Sequence, residues 1–81
     1  MKYVYLLQSL SYPKQRYIGI SSDLGNRLSA HNAGQSAHTA KFRPWTLVGY
    51  LAFMDESKAI AFEKYLKLGS GRAFAQKRLW P

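Results

Sequence analysis

Two stretches decide how this chain folds: Lys2-Tyr3-Val4-Tyr5-Leu6-Leu7-Gln8 and Arg16-Tyr17-Ile18-Gly19-Ile20-Ser21. Both alternate and are rich in β-branched and aromatic residues, which is the pattern of a pleated strand. In the first, Tyr3, Tyr5 and Leu7 share one face while Val4, Leu6 and Gln8 share the other. In the second, Tyr17 and Gly19 oppose Ile18 and Ile20. Residues 9–15 carry serines, Pro13 and Lys14, and read as a turn or loop. So short a connection predicts an antiparallel hairpin. Tyr5 and Tyr17 are spaced to project from the same face of it.

Outward from the hairpin, Ser22 is placed to cap a helix over 23–33, and Gly34 to stop it. Residues 35–44 form a polar, basic loop with His38, Thr39, Lys41 and Arg43. A third strand is expected over 45–53, with Trp45, Leu47, Gly49 and Leu51 facing one way and Thr46, Val48, Tyr50 and Ala52 the other. A second helix is expected over 56–68, stopped by Gly69, and Ser70 is placed to cap a short third helix over 71–79. No repeat, low-complexity tract or linker interrupts the order β-β-α-β-α-α. That order predicts an α+β fold, a three-stranded antiparallel sheet flanked by helices. At 81 residues, a single domain spanning 1–81 is expected.

Composition narrows the function. With 47% hydrophobic and 15% aromatic residues the chain can pack a core. It has no cysteine, which excludes disulfides and thiolate metal sites and fits a reducing cytoplasm. No apolar run approaches the roughly 20 residues that span a bilayer. The N-terminal apolar run is too short for a signal peptide. Twelve Lys and Arg against four Asp and Glu leave a net charge of +8 and a pI near 10.1, which points to a polyanionic partner. Nucleic acid ranks first. An anionic membrane ranks low, because no strongly basic amphipathic helix with an exposed apolar face is apparent.

The acids are placed unevenly. Asp23, Asp55 and Glu56 fall at expected helix starts, where carboxylates cap free amides and complement the helix dipole. Glu63 falls in mid-helix, and every charge after it is positive: Lys64, Lys67, Arg72, Lys77 and Arg78. Taken singly, the polar residues have ordinary explanations. Arg27 and His31 share one side of their helix with Leu24 and Leu28, as a snorkelling Arg and a boundary His do. Glu63 can pair with Lys67 at i,i+4 for about 0.3–0.5 kcal/mol. Tyr5 and Tyr17 can simply stabilise a sheet as a cross-strand pair.

Their combination carries more. Tyr3-Val4-Tyr5, then Tyr17-Ile18-Gly19, then Arg27, His31 and Glu63, resembles the GIY-YIG nuclease family in its small stand-alone bacterial form. Leu24-Gly25-Asn26-Arg27-Leu28, His31-Asn32, Arg43-Pro44-Trp45, Phe62-Glu63-Lys64 and Gly69-Ser70-Gly71-Arg72 extend the resemblance over nearly the whole chain. In the first triplet Tyr-Val stands where Gly-Ile would. Several members carry a supporting Asn after the metal-binding Glu; here Asn26 and Asn32 both precede Glu63, so no residue takes that role. The domain is also similar to the N-terminal nuclease part of the bacterial excision-repair endonuclease.

The resemblance implies a metal-dependent endonuclease acting on nucleic acid, DNA before RNA, in repair or recombination. Glu63 would hold one Mg²⁺ or Mn²⁺, Arg27 would brace the scissile phosphate, and Tyr5, helped by Tyr17 and His31, would activate water. Lys41, Arg43 and Arg72 are the expected phosphate contacts. The rival expectation is a non-catalytic nucleic-acid-binding module or adaptor that keeps the fold, with a protein partner supplying specificity.

Overall fold

The structure, a computed structural model, describes residues 1–81. Its elements are β1 (Lys2–Ser9), β2 (Arg16–Ser21), α1 (Leu24–Asn32), α2 (Ala37–Ala40), β3 (Trp45–Phe53), α3 (Glu56–Lys67) and α4 (Gly69–Arg78). The three strands are antiparallel in the order β2-β1-β3. The α+β sheet expected from the alternation is therefore present, with β1 at its centre and β2 at an edge.

Each face of the sheet buries a different cluster. Val4 packs with Ala59 and Leu66 of α3 and Ala75 of α4, joined by Ile18 and Ile20 of β2. On the opposite face Tyr5 and Leu7 pack with Trp45, joined by Tyr17, Leu47 and Leu24 and Leu28 of α1. The period-two pattern of β1 thus feeds both cores, which is why Val4, Tyr5, Leu6 and Leu7 are all buried.

Four details differ from the sequence reading. Asp23, not Ser22, is the N-cap of α1: its carboxylate accepts from the Asn26 amide N–H at 3.0 Å. An ionised carboxylate accepts from a helix amide more strongly than a neutral hydroxyl does. Residues 37–40 form the short helix α2 inside the expected loop. Leu68, not Ser70, precedes α4, which begins at Gly69, a residue with φ +51° that turns the chain between two helices. Gly34 does end α1, at φ +80°.

The fourth difference lies in β3. Leu6 pairs with Gly49 but Leu7 pairs with Leu47, so Val48 is an extra residue in the ladder. The bulge resets the alternation. Leu47 therefore faces the same side as Tyr50, which pairs with Tyr5 and stacks edge-on against Tyr3 at 5.7 Å. Strict alternation had placed Leu47 and Tyr50 on opposite faces.

Candidate active site

The hairpin register places the site. Tyr5 stands opposite Gly19, and Leu7 opposite Tyr17, so both tyrosines leave the sheet on the α1 side. Their rings lie 6.2 Å apart. Gly19 makes this possible: a Cβ there would collide with the Tyr5 hydroxyl and press on the Tyr17 ring. The first turns of α1 then bring Arg27 and His31, one helical turn apart, over the same spot.

Four of the expected residues meet. The Tyr5 hydroxyl lies 3.0 Å from Nε2 of His31. Arg27 Nε donates to the Tyr5 oxygen at 3.3 Å. The Tyr17 ring lies 4.9 Å from the imidazole. His31 is not a boundary residue, since only 1% of its surface is exposed, and Tyr5 is almost equally buried at 2%. Arg27 remains exposed, so its cation can reach a ligand.

Burial sets the proton affinities. It pushes the Tyr5 phenol above its ordinary range; the hydrogen bond from Arg27 pulls it back in part, and the neighbouring Tyr17 adds a smaller upward push. Burial, seconded by the charge of Arg27, pulls His31 below the usual imidazole range. Arg27 is raised by its bond to Tyr5 and stays charged. At neutral pH the cluster therefore holds a protonated phenol, a neutral imidazole and a permanent cation.

The imidazole is anchored from behind. His31 Nδ1 lies 2.8 Å from Oγ1 of Thr39, which is also buried. Thr39 in turn receives the Trp45 indole N–H on its carbonyl at 2.8 Å. Asn32, next to His31, clasps the start of β3: its side-chain oxygen accepts from Trp45 N at 2.6 Å, and its amide donates to Trp45 O at 3.1 Å. The sequence reading assigned no role to Thr39 or Asn32. A serine followed by a four-residue Ala-His-Thr-Ala helix is too short a pattern to show periodicity.

Glu63 lies on α3, which packs against the Val4 face of the sheet. No hydrogen bond joins it to the tyrosine cluster, but its partner Lys67 lines the same groove as Tyr17. Its Oε2 accepts from Lys67 Nζ at 2.7 Å, while the side chain is 17% exposed. Oε1 has no partner in the protein and is open to solvent. No group of three or more His, Asp or Glu side chains gathers anywhere to hold a metal. A single half-buried carboxylate with one free oxygen still fits a hard divalent cation, which takes its other ligands from water and phosphate oxygens.

Two adjoining cavities of about 460 Å³ each run along the exposed edge of β2, and both are lined by Arg16, Tyr17 and His38. Lys41 and Thr39 line the first; Lys67, Arg72 and Trp80 line the second. The expected phosphate contacts Lys41 and Arg72 thus face this groove. Arg43 does not line it, because its guanidinium lies against Gly34. Arg16, not singled out from sequence, sits at the centre: it stacks on Trp80 at 5.0 Å, donates to Gln76 at 2.6 Å and keeps a buried Nε without a partner. Its place immediately before Tyr17 was the available signal.

Comparison with known proteins agrees with this architecture. Residues 1–77 match the model of the GIY-YIG catalytic domain. The UPF0213 protein SpyM3_1077 of Streptococcus pyogenes serotype M3 is 35% identical over 66 residues, covering 80% of this chain and 70% of that protein. The UPF0213 protein M28_Spy1146 of Streptococcus pyogenes serotype M28 matches with the same identity and coverage. The solution NMR structure of the UPF0213 protein BH0048 from Bacillus halodurans superposes with a TM-score of 0.57 at 27% identity, over 100% of this chain and 89% of that one. With its tyrosine pair on a β2-β1-β3 sheet and a family match over nearly its full length, this chain belongs to the GIY-YIG nuclease family.

Proposed function

We propose that this protein is a metal-dependent endonuclease that hydrolyses phosphodiester bonds in nucleic acid, with DNA the preferred substrate. The observation that carries the reading is the hydrogen-bonded group of Tyr5, Arg27 and His31 beside a groove lined by cations. A fold-keeping scaffold has no need to bury a His–Tyr pair and to spend an exposed arginine on the phenol oxygen.

The roles follow from the proton affinities. Arg27 offers a planar, permanent charge to the equatorial oxygens of the phosphate, where negative charge builds in the transition state. Tyr5 orients the attacking water. A phenol raised above its ordinary range is a poor base alone. It serves as a relay: the water proton passes to the Tyr5 oxygen as the Tyr5 proton passes to Nε2 of neutral His31. Tyr17 walls the site toward the groove and keeps the imidazole in place by ring contact. Glu63 is the residue that would hold a Mg²⁺ or Mn²⁺, whose chemistry is Lewis-acid stabilisation of the phosphate and leaving oxygen. Lys41, Arg72 and Arg16 position the strand by its backbone, so binding is weak in sequence preference and strongly salt-dependent.

One observation favours a second reading. The Glu63 carboxylate is ion-paired with Lys67 and shares no hydrogen bond with Tyr5, Tyr17 or Arg27, as in a binding module that cuts nothing. A panel of labelled single-stranded, duplex, flapped and branched DNA and RNA separates the two. Cleavage is expected with Mg²⁺ or Mn²⁺, lost with chelator, and lost in Arg27→Ala and Glu63→Ala proteins that still bind. Binding without cleavage across the whole panel would leave the adaptor reading standing.

A further inference from the structure

We propose that Thr39 is a positioning residue that fixes the tautomer of His31, holding the proton on Nδ1 so that Nε2 is free to accept from Tyr5. The inference rests on the hydrolytic reading of the site, and its first readout is independent of cleavage.

The proton arrangement follows from donors and acceptors in the cluster. Arg27 is a donor only, and it points Nε–H at the Tyr5 oxygen. Tyr5 is buried, so its own hydrogen needs an acceptor, and Nε2 of His31 stands 3.0 Å away. An imidazole that accepts at Nε2 carries its proton on Nδ1 when neutral. That nitrogen meets Oγ1 of Thr39 at 2.8 Å. The Thr39 hydroxyl hydrogen is left for the Ser36 carbonyl, a longer contact at 3.5 Å. Every donor then finds an acceptor in one head-to-tail chain from the Arg27 guanidinium to a backbone oxygen. The reverse arrangement sends two donors, Arg27 Nε–H and His31 Nε2–H, to the one Tyr5 oxygen; the Ser36 carbonyl is satisfied either way, by the Thr39 and Ala40 amides.

The choice of a hydroxyl has a chemical consequence. Histidines in catalytic and metal sites are often oriented by a carboxylate, which also raises their proton affinity. Here the groups that face His31 are Tyr5 from β1, Tyr17 from β2, Arg27 from its own helix and Thr39 from α2, and no carboxylate hydrogen-bonds to it. A neutral partner sets the tautomer without favouring the imidazolium. The ring therefore stays a proton acceptor at neutral pH, which is the state the relay through Tyr5 requires. Thr39 is itself held in place, by the Trp45 indole on its carbonyl.

The test is made on the full chain with ¹⁵N-labelled histidine, reading the two ring nitrogens by long-range ¹H–¹⁵N correlation at neutral pH. The exposed His38, the other histidine, is the internal control. In the wild type, His31 is expected to show a protonated Nδ1 and a bare Nε2. Thr39→Val, which keeps the shape and removes the acceptor, is expected to move the proton to Nε2. Thr39→Ser is expected to keep it on Nδ1. In the cleavage assay Thr39→Val should lower kcat by about tenfold or more with KM unchanged, bounded by the 10²–10⁴ that a positioned acid or base supplies in full, and Thr39→Ser should restore it. A wild-type His31 protonated at Nε2 overturns the proposal, and so does a Thr39→Val protein with the tautomer unmoved. If Thr39→Val does not fold, the wild-type and Thr39→Ser spectra still decide it. A wild type that shows the expected tautomer but cuts nothing would fault the hydrolytic reading and leave the assignment of Thr39 intact.

Discussion

The two faces of the sheet are built on opposite principles. The α3–α4 face is an apolar core in which Val4, Ala59, Leu66 and Ala75 are almost wholly buried. The α1–α2 face buries a phenol, an imidazole and a hydroxyl in one hydrogen-bonded chain. Buried polar groups are costly unless paired, so this cluster is tolerated only because each partner is present. A chain this small has little apolar surface to spare. One face is apolar throughout, while the other sets the polar cluster beside its own apolar packing of Leu7 and Trp45.

Changes on the two faces should therefore be read by different instruments. Leu66→Ala on the apolar face should have the largest effect, a loss of about 2–5 kcal/mol. That is a large share of the 5–15 kcal/mol typical of a domain, and denaturant unfolding measures it. Arg27→Ala on the polar face should leave unfolding nearly unchanged, because the side chain is exposed, yet lower kcat by about 10²–10³-fold. If Arg27→Ala unfolds the protein, or Leu66→Ala costs only activity, the division between the faces is wrong.

Gly19→Ala tests how tightly the polar face is fitted. The added methyl would collide with the Tyr5 hydroxyl, which Arg27 and His31 hold in place. Overpacking of this kind costs about 1–3 kcal/mol, and cleavage should fall with it.

Acid titration should also act on the polar face. His31 is lowered in the folded state relative to the ordinary 6.5, so below that value the unfolded chain binds a proton that the folded chain refuses. Stability should fall as pH drops from about 6.5 toward the lowered folded value and then level off. A His31→Gln protein, with no imidazole to charge, should lose that slope in pH-dependent melting.

The smallest effect is expected for the stability of Glu63→Gln. Its i,i+4 pair with Lys67 is worth about 0.3–0.5 kcal/mol. A melting temperature close to wild type together with abolished cleavage would mark Glu63 as functional. An unchanged cleavage rate would return it to the role of a helix-surface ion pair.

Much of this was legible in the chain. Alternation in 2–8 and 16–21 determined the hairpin, the face shared by Tyr5 and Tyr17, and the place of Gly19 between them. Helical spacing determined that Arg27 and His31 share a side of α1 with Leu24 and Leu28. These are local periodicities, and each residue carries its own copy of the signal. Net charge foretold the cationic groove but not its course along β2, nor that Arg43 would turn away to Gly34.

What the tertiary structure decided depends on separations that no local pattern encodes. The bulge at Val48 arises from pairing with β1, and strict alternation within β3 pointed past it. The burial of His31 follows from α2 folding back over α1, and Thr39 reaches it only in that packing. That Lys67 beside Glu63 lines the groove with Tyr17 follows from α3 docking on the Val4 face of the sheet. The sequence alone settled which residues can do chemistry and which face of each element they occupy, because a backbone repeat sets that. Which of them meet, and with which protons, was left to long-range packing, where a hydrogen-bond partner lies many residues away.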